Sequence, residues 1–381
     1  MRISLRILEG ALKSLDPEFS SIIEKALSEK AIDESEALRL LNSSYEEALV
    51  LALAADYVRK AYVGDLVTFV VNRNINFANE CVMLCPFCAY SRPLGAPDGY
   101  LLSVDEVVSR AYEAWKKGAT EVCIQGAINP RIPVNYYFDI LKGIKEKVPI
   151  HIHAFSPQEV HHIASRLGVS YRDALKMLRE AGLDSMPGTA AEILDDDVRK
   201  VIAPRKILTN QWIEIIKEAH KLGIPTTATM MYGHIDNNEH RVKHMKVIRE
   251  IQKETGGFTE FVLLPFVHYK TRLYREGVSR PGTTWLEDLK VHAVSRLFFL
   301  GYIRNIQVSW VKLGPKMAQM MLQAGANDVG GTLMEENISR EAGSPYGTSM
   351  DILEIVKLIK EIGRIPAQRS TTYEIIKVYT C

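Results

Sequence analysis

Short runs of β-branched and other apolar residues alternate with amphipathic segments along the chain from about residue 66 onward. Runs of this length favour strands, and segments with apolar residues every three or four positions favour helices. Eight strand–helix units over roughly 300 residues match a (β/α)8 TIM-type barrel in count and size. An open doubly wound sheet is the alternative, although no glycine-rich dinucleotide fingerprint follows the first run. The eight runs are LVTFVVNRNINF, TEVCIQG, IHIHAF, GLDSMPG, IPTTATMMYG, FTEFVLLPFV, IRNIQVSW and the weaker ANDVGGTL.

The beginning of the chain differs from the rest because it has few strand signals. We predict a helical extension over residues 1–62 that covers one end of the barrel. The barrel, with a C-terminal closing segment, is expected over residues 63–381. Side chains that accept hydrogen bonds from the first turn mark helix starts. The predicted capping residues of four helices are Ser44, Ser103, Asn210 and Thr348.

Side chains of a barrel strand alternate between the helix layer and the lumen. In the third run, Ile150 and Ile152 are expected to face the helices, which places His151 and His153 inside. The same alternation in the second run places its apolar residues outside, and Cys123 and Gln125 inside. The lumen near the carboxyl ends of these strands is therefore predicted to be polar, as a catalytic barrel requires.

Composition excludes several classes of function. Of 381 residues, 47% are hydrophobic and 24% are charged, and the formal net charge is +1. No strong field therefore favours nucleic acid or an acidic membrane. No apolar stretch of about 18 residues predicts a transmembrane helix, and the N-terminal segment lacks the apolar block and cleavage site of a signal peptide. We expect a cytoplasmic protein that binds neither nucleic acid nor membrane.

Three of the five cysteines form the motif CxxxCxxC: Cys81, Cys85 and Cys88. In a reducing compartment such a group more often binds metal than forms disulfides. A [4Fe–4S] cube usually takes four thiolates, so three leave one iron open, as a catalytic metal requires. The alternative is structural zinc, with a fourth ligand from Cys123 or a histidine. The last cysteine, Cys381, is terminal and expected to be a free thiol.

Phe87, directly before the third cysteine, is typical of the cysteine loop of radical S-adenosylmethionine (SAM) enzymes. The segment VVNRNINFANECVMLCPFCAYSR resembles that loop in the radical SAM branch that contains FO synthase and the menaquinone enzymes of the futalosine route. The resemblance continues over roughly residues 65 to 370, and HIHAFSP, DSMPGTAAEIL and TATMMYGH indicate this branch. Two positions depart from the branch, which usually has Thr at Ala78 and a second Gly at Ala127.

The resemblance implies a [4Fe–4S] cluster on the three cysteines and SAM at the open iron. It implies a radical transferase that cleaves L-tyrosine between Cα and Cβ and joins the 4-hydroxybenzyl fragment to 5-amino-6-(D-ribitylamino)uracil. The product would lead to FO, the deazaflavin core of coenzyme factor 420. The implied partners are a low-potential electron donor of the ferredoxin or flavodoxin type and a companion radical SAM subunit, CofG, that acts on the product. The alternatives are aminofutalosine synthase, dehypoxanthine futalosine cyclase, or a non-catalytic iron–sulfur or zinc protein.

Polar side chains at predicted strand ends are candidates for binding SAM and substrate. Glu192 would accept hydrogen bonds from the SAM ribose, and its structural alternative is a first-turn helix carboxylate favoured by the dipole. The ribityl chain needs several hydroxyl partners, and the uracil needs paired donors and acceptors. Each candidate has a structural alternative as a satisfied interior polar group. The SAM candidates are Phe87, Gln125, Gly126 and Glu192, and the substrate candidates are Asn76, His153, Ser156, Tyr232 and His234.

Overall fold

The computed structural model describes residues 2–380, so Cys381 lies outside the described residues. Four helices precede the first strand, and α4 begins at the predicted capping residue: Ser44 accepts from the backbone of Glu47, whose side chain accepts from Ser44 in return. Helix α4 packs extensively against a later helix of the barrel's outer layer, Trp285–Phe298. The four helices are α1 (Arg2–Leu12), α2 (Pro17–Leu27), α3 (Glu34–Leu41) and α4 (Tyr45–Val63).

The remaining chain alternates strands with helices. The first predicted strand is continuous apart from one residue, and its two halves are β1 and β2. The strands are β1 (Leu66–Val70), β2 (Asn72–Asn76), β3 (Glu121–Gln125), β4 (His151–Ala154), β5 (Thr226–Tyr232), β6 (Phe258–Pro265), β7 (Ile306–Val308), β8 (Asp328–Gly331), β9 (Ile365–Arg369) and β10 (Ile375–Val378). The helices are α5 (Val104–Lys116), α6 (Asn135–Lys147), α7 (Pro157–Leu167), α8 (Tyr171–Ala181), α9 (Asp196–Ile202), α10 (Thr209–Lys221), α11 (Asn238–Thr255), α12 (Arg272–Arg275), α13 (Trp285–Phe298), α14 (Trp310–Leu313), α15 (Pro315–Leu322), α16 (Asn337–Ala342) and α17 (Ile352–Glu361).

The strands close into a parallel barrel. One sheet runs β2–β3–β4, and the other includes β1–β8–β7–β6–β5 in that order. The gap between β4 and β5 is filled by Ser185, which pairs with His153, and by Met186, which pairs with Thr226. The fourth predicted strand is thus reduced to two residues, because the following proline cannot donate to a ladder. The predicted (β/α)8 barrel is confirmed.

The predicted alternation of side chains is confirmed in β3 and β4. Ile124 and Ile152 are fully buried in the hydrophobic core. Cys123, Gln125 and His153 line a cavity in the lumen.

Two strands were not predicted, β9 and β10, and they close the amino-terminal end of the lumen. β9 pairs in parallel with β1, and β10 returns antiparallel to β9. This arrangement brings Arg369 into the lumen, where it donates to Asp328 at 2.6 Å and to Glu260 at 3.3 Å. Thr371 donates to Glu121 at 2.7 Å. The floor of the barrel is therefore a buried polar network.

Two of the four predicted helix starts are wrong. α10 begins one residue before Asn210, because the hydroxyl and backbone N–H of Thr209 both donate to Asp196. α17 is capped by Asp351 rather than Thr348, since its carboxylate accepts from the N–H of Leu353. The Ser103 cap of α5 is confirmed. Within residues 2–380, none of the helices combines the length and the apolar character that a membrane span requires.

Candidate active site

The cysteine loop leaves the carboxyl end of the first barrel strand and is fixed by backbone hydrogen bonds. The N–H of Cys81 donates to the carbonyl of Arg92 at 2.8 Å, and that of Val82 donates to the carbonyl of Ile128 at 2.9 Å. The Arg205 guanidinium donates to the carbonyl of Val82 at 2.9 Å. The loop is therefore tied to the segments that follow β3 and α9.

The three thiols of this loop line one cavity at the mouth of the barrel. Cys85 is buried, and desolvation raises the pKa of its thiol to about 12. The thiol is therefore protonated at neutral pH, and a metal that binds it must displace the proton. The N–H of Ile128 donates to the Cys81 sulfur at 3.4 Å. Hydrogen bonds of this kind help to set the reduction potential of an iron–sulfur cluster.

The donor set of this cavity fits a cube with one open iron. Among the described residues, its walls hold three cysteines and no histidine, and Cys123 lines the lumen cavity instead. No three Cys, His, Asp or Glu side chains in residues 2–380 are gathered tightly enough to hold a single metal ion. Thiolates that bind different irons of one cluster need not converge on a point. Neither of the fourth ligands expected for structural zinc, Cys123 or a histidine, lines this cavity in the described residues.

Most of the predicted site residues lie in the same cavity. Its lining includes all four SAM candidates and two of the five substrate candidates, and these are Phe87, Gln125, Gly126, Glu192, Asn76 and Ser156.

Gly126 is required by the close approach of Phe77, whose ring occupies the space of a Cβ. Neither Gly126 nor Ala127 has a positive φ, so the Ala127 departure costs no backbone strain. The N–H of Gly126 donates to Glu159 at 2.9 Å. The other carboxylate oxygen of Glu159 accepts from the N–H and hydroxyl of Ser156, each at 2.7 Å. Glu159 therefore ties the end of β3 to the first turn of α7.

Glu192 lies on a strained turn with φ +42° and faces two cations. Its Oε1 accepts from Lys206 at 2.8 Å, whereas its buried Oε2 lies 3.5 Å from the Arg199 guanidinium and has no hydrogen-bond partner. The Lys206 ammonium lies 5.3 Å from the centre of the Phe87 ring. Residues held in such conformations cluster at ligand sites. Because Oε2 accepts no hydrogen bond, it can accept one from a ligand hydroxyl.

Asn76 and Gln125 meet at the centre of the barrel mouth. The Asn76 amide donates to the carbonyl of Gln125 at 3.3 Å, and its buried Oδ1 has no partner. The Gln125 Oε1 accepts from Thr189 at 3.1 Å. An unpaired buried acceptor is costly, so a ligand donor at Asn76 would lower the free energy of the site.

The lumen cavity adjoins the thiol cavity, and the two share part of their lining. Both are lined by Gln125, Thr189, Thr229, Leu264, Lys312 and Ile338. His153 lies deeper in the lumen, where its Nδ1 is 2.7 Å from the Ser185 hydroxyl, and desolvation lowers its pKa to about 4. It is therefore neutral at physiological pH.

Comparison with known proteins agrees with this geometry. A model of the radical SAM superfamily matches residues 75–248, and one described as the CofH/MqnC C-terminal region matches residues 255–380. The 5-amino-6-(D-ribitylamino)uracil–L-tyrosine 4-hydroxyphenyl transferase of Methanocaldococcus jannaschii is 55% identical over 353 residues, which are 92% of this chain and 98% of that protein. The transferase of the same name from Methanothermobacter thermautotrophicus is 52% identical over 357 residues, 93% of this chain and 97% of that protein. The chain belongs to this family of radical SAM 4-hydroxyphenyl transferases.

A solved structure outside this transferase family shows the same fold. The crystal structure of methylornithine synthase superposes with a TM-score of 0.72, covering 91% of this chain and 97% of that one, at 19% identity.

Two substrate candidates lie outside both cavities of this family member. The Tyr232 hydroxyl donates to Asp288 of α13 at 2.8 Å, so it faces the helix layer. The His234 Nε2 lies 3.0 Å from the carbonyl of Met231, and its Nδ1 accepts from the N–H of Ile235. Their substrate contact stays a prediction that the geometry does not support. Strand alternation offered a signal, because Thr227 and Thr229 of the same strand line the lumen, which places Tyr232 outside.

Sequence reasoning missed three charged residues of the transferase site. Glu159 is the fourth residue of a capping box that begins at Ser156, a pattern readable from the sequence. Lys206 lines the thiol cavity from the loop after α9 and Lys312 from α14, far apart in the chain, and no local pattern marks them.

Proposed function

We propose that this protein cleaves L-tyrosine at the Cα–Cβ bond and joins the 4-hydroxybenzyl fragment to 5-amino-6-(D-ribitylamino)uracil, in the biosynthesis of FO. One observation supports this most directly. A cavity with three thiols adjoins a lumen cavity that carries many polar side chains, and the family to which the chain belongs carries the name of this transferase. A radical formed beside the thiols would therefore lie next to a substrate held in the lumen.

Cys81, Cys85 and Cys88 would hold the [4Fe–4S] cluster, and SAM would lie beside it. When bound, these groups supply one-electron reductive cleavage and the carbon radical that it yields. The Oε2 of Glu192, which faces Arg199 without a hydrogen bond, would accept one from a ribose hydroxyl of SAM. The backbone at Gly126, held by Glu159, would contact the methionine part.

The lumen offers the polar groups that the uracil and its ribityl chain need. Amide, hydroxyl and carboxylate side chains project into it from the barrel strands, and a chain of hydroxyls binds by such partners. The ion pair between Arg369 and Asp328 seals the amino-terminal end, so the substrate enters from the mouth. The polar groups that line the lumen are Asn72, Asn74, Glu121, His153, Thr227, Thr229, Glu260, Gln307 and Ser309.

The partners follow from the reaction. Reduction of the cluster requires a low-potential one-electron donor, of the ferredoxin or flavodoxin type. The coupled product requires a second radical SAM subunit, CofG, to close the deazaflavin ring. We place all three proteins in the cytoplasm.

The proposal is tested with anaerobically reconstituted full-length protein, a reductant, SAM, ring-labelled L-tyrosine and the ribityl-diaminouracil. We expect 5′-deoxyadenosine and a coupled product that carries the labelled ring, detected by mass spectrometry, only when both substrates are present. The Cys85→Ala variant is the matched control and should give neither. Turnover of a futalosine-type substrate in place of the tyrosine pair would overturn the proposal in favour of a menaquinone-route enzyme.

A further inference from the structure

One cation at the junction of the two cavities lacks a counter-ion. Three Lys and Arg side chains line the cavities, and two of them are paired. Lys206 contacts Glu192 at 2.8 Å, and Arg369 contacts Asp328 at 2.6 Å. Lys312 has no carboxylate within 4.0 Å among the described residues. Its Nζ donates one hydrogen bond, to the Ser339 hydroxyl at 3.3 Å.

The charge of the Glu336 carboxylate acts on Lys312, but the two groups form no ion pair. Glu336 caps α16, and its oxygens accept from the N–H of Ser339 at 2.7 Å and of Ile338 at 3.3 Å. Desolvation lowers the pKa of Lys312. An ammonium taken out of water without a partner is costly, so this position favours an anionic ligand.

Lys312 follows β7 and lines both the thiol cavity and the lumen cavity. An anion bound there would lie between the cofactor and the interior of the barrel. Of the two proposed substrates, only L-tyrosine carries a carboxylate. SAM carries one too, but its amino and carboxylate groups are expected at the open iron of the cluster, beside the cysteine loop.

We propose that the Lys312 ammonium binds the α-carboxylate of L-tyrosine at this junction, an inference that rests on the proposed function. The contact would place the tyrosine amino group toward the thiol cavity and its phenol toward the lumen. Ser339, which accepts from Lys312, would orient the ammonium. The residue would then decide that the enzyme accepts an amino acid rather than the corresponding amine.

The test compares L-tyrosine with tyramine, which lacks only the carboxylate. Binding of each to the cluster-loaded, SAM-bound protein is measured by anaerobic calorimetry for the unsubstituted protein, Lys312→Met and Lys312→Arg. A hydrogen bond to a charged group corresponds to roughly 10- to 100-fold in affinity. We expect Lys312→Met to lose about that factor for tyrosine and to leave tyramine unchanged, whereas Lys312→Arg keeps most of the preference.

SAM affinity, measured by the change it causes in the electron paramagnetic resonance of the reduced cluster, separates the outcomes. An unchanged tyrosine preference in Lys312→Met overturns the inference. Weaker SAM binding with an unchanged preference also overturns it and assigns Lys312 to the SAM carboxylate. If the unsubstituted protein binds tyrosine and couples it, either result leaves the proposed function intact. If the unsubstituted protein does not bind tyrosine, the proposed function itself fails.

Discussion

Substitution of Gly126 by alanine tests whether steric fit at the cofactor cavity limits stability. An ideal Cβ at this position would lie 2.2 Å from the Phe77 ring, whereas ordinary contact begins near 3.4 Å. The ring must therefore move by about 1 Å, yet Phe77 is fully buried and packs against Tyr136, Tyr137 and Phe155. Overpacking of this kind costs typically about 1–3 kcal/mol, and we expect the upper half of that range because neighbouring rings surround Phe77.

The chain supplies a matched control and a rescue. Gly10 lies in α1 with no heavy atom within 4 Å of an added Cβ and without a positive φ. Gly10→Ala should be neutral or stabilise the protein by up to about 1 kcal/mol through helix propensity. Phe77→Leu should make room for the new methyl group. Residues in contact show coupling energies of about 0.5–3 kcal/mol, so the double variant should be more stable than the sum of the single effects predicts.

The assay is urea unfolding of the cluster-free protein under anaerobic reducing conditions, followed by far-ultraviolet circular dichroism. If Gly126→Ala unfolds with the same free energy as Gly10→Ala, the steric argument is refuted. Strict additivity of Gly126→Ala and Phe77→Leu would refute the assignment of the clash to this ring. In the cluster-loaded protein, a shifted Gly126 backbone should also weaken SAM binding.

Three further substitutions separate chemistry from structure. Cys85→Ala should abolish iron loading, which is measured by the visible absorption of the cluster. The free energy of unfolding should change by only about 1 kcal/mol. A variant that still binds iron would contradict the ligand assignment. Tyr232→Phe should lower the free energy of unfolding by about 1–3 kcal/mol because it removes a hydrogen-bond donor from buried Asp288. The KM for tyrosine should not change. A raised KM at unchanged stability would restore Tyr232 to the substrate site. Burial raises the pKa of Asp288 to about 7. The protonated carboxyl therefore contributes stability that is fully present when the pH is below the ordinary pKa of an aspartate, and that is lost as the pH rises to about 7. Asp288→Asn should therefore flatten the fall in the free energy of unfolding over that range, and an unchanged slope in urea titrations would contradict the raised pKa.

Periodicity predicted the barrel because each strand buries one face, and burial leaves a pattern along the chain. All eight predicted runs contribute to the barrel, including the one in which only Ser185 and Met186 pair. β9 escaped prediction because its pattern is mixed. Four of its five residues are buried, but Arg369 and Gln368 are polar. Arg369 is buried in the lumen network, and Gln368 accepts from the Tyr379 hydroxyl at 3.4 Å, so a hydrophobic pattern reveals neither.

The site residues likewise fall into those that a local sequence pattern marks and those that only the folded structure reveals. The cysteines and Gly126 were predicted because motif spacing and strand ends are local features. Lys312 and Lys206 were missed because their significance is a tertiary fact. Lys206 has a counter-ion and Lys312 has none among the described residues, and only the folded chain shows this difference. The substrate contact of Tyr232 stays a prediction, but its position relative to Thr229 within one strand directs its side chain toward the helix layer.

Backbone strain is concentrated at the end of the barrel that carries the site. Six of the eight described non-glycine residues with positive φ lie in segments at the carboxyl ends of strands, and these are Leu84, Phe155, Ala190, Glu192, Leu333 and Met334. Each such residue costs of order 1–3 kcal/mol, which the rest of the fold must offset. The opposite end supplies that stability through the Arg369 network. Cys85 is buried in the core, but its truncation to alanine leaves no buried charge unpaired. Truncation of Arg369 leaves buried carboxylates without their cation, which is strongly destabilising. Removal of this cluster ligand should therefore spare the fold, whereas truncation of Arg369 should not.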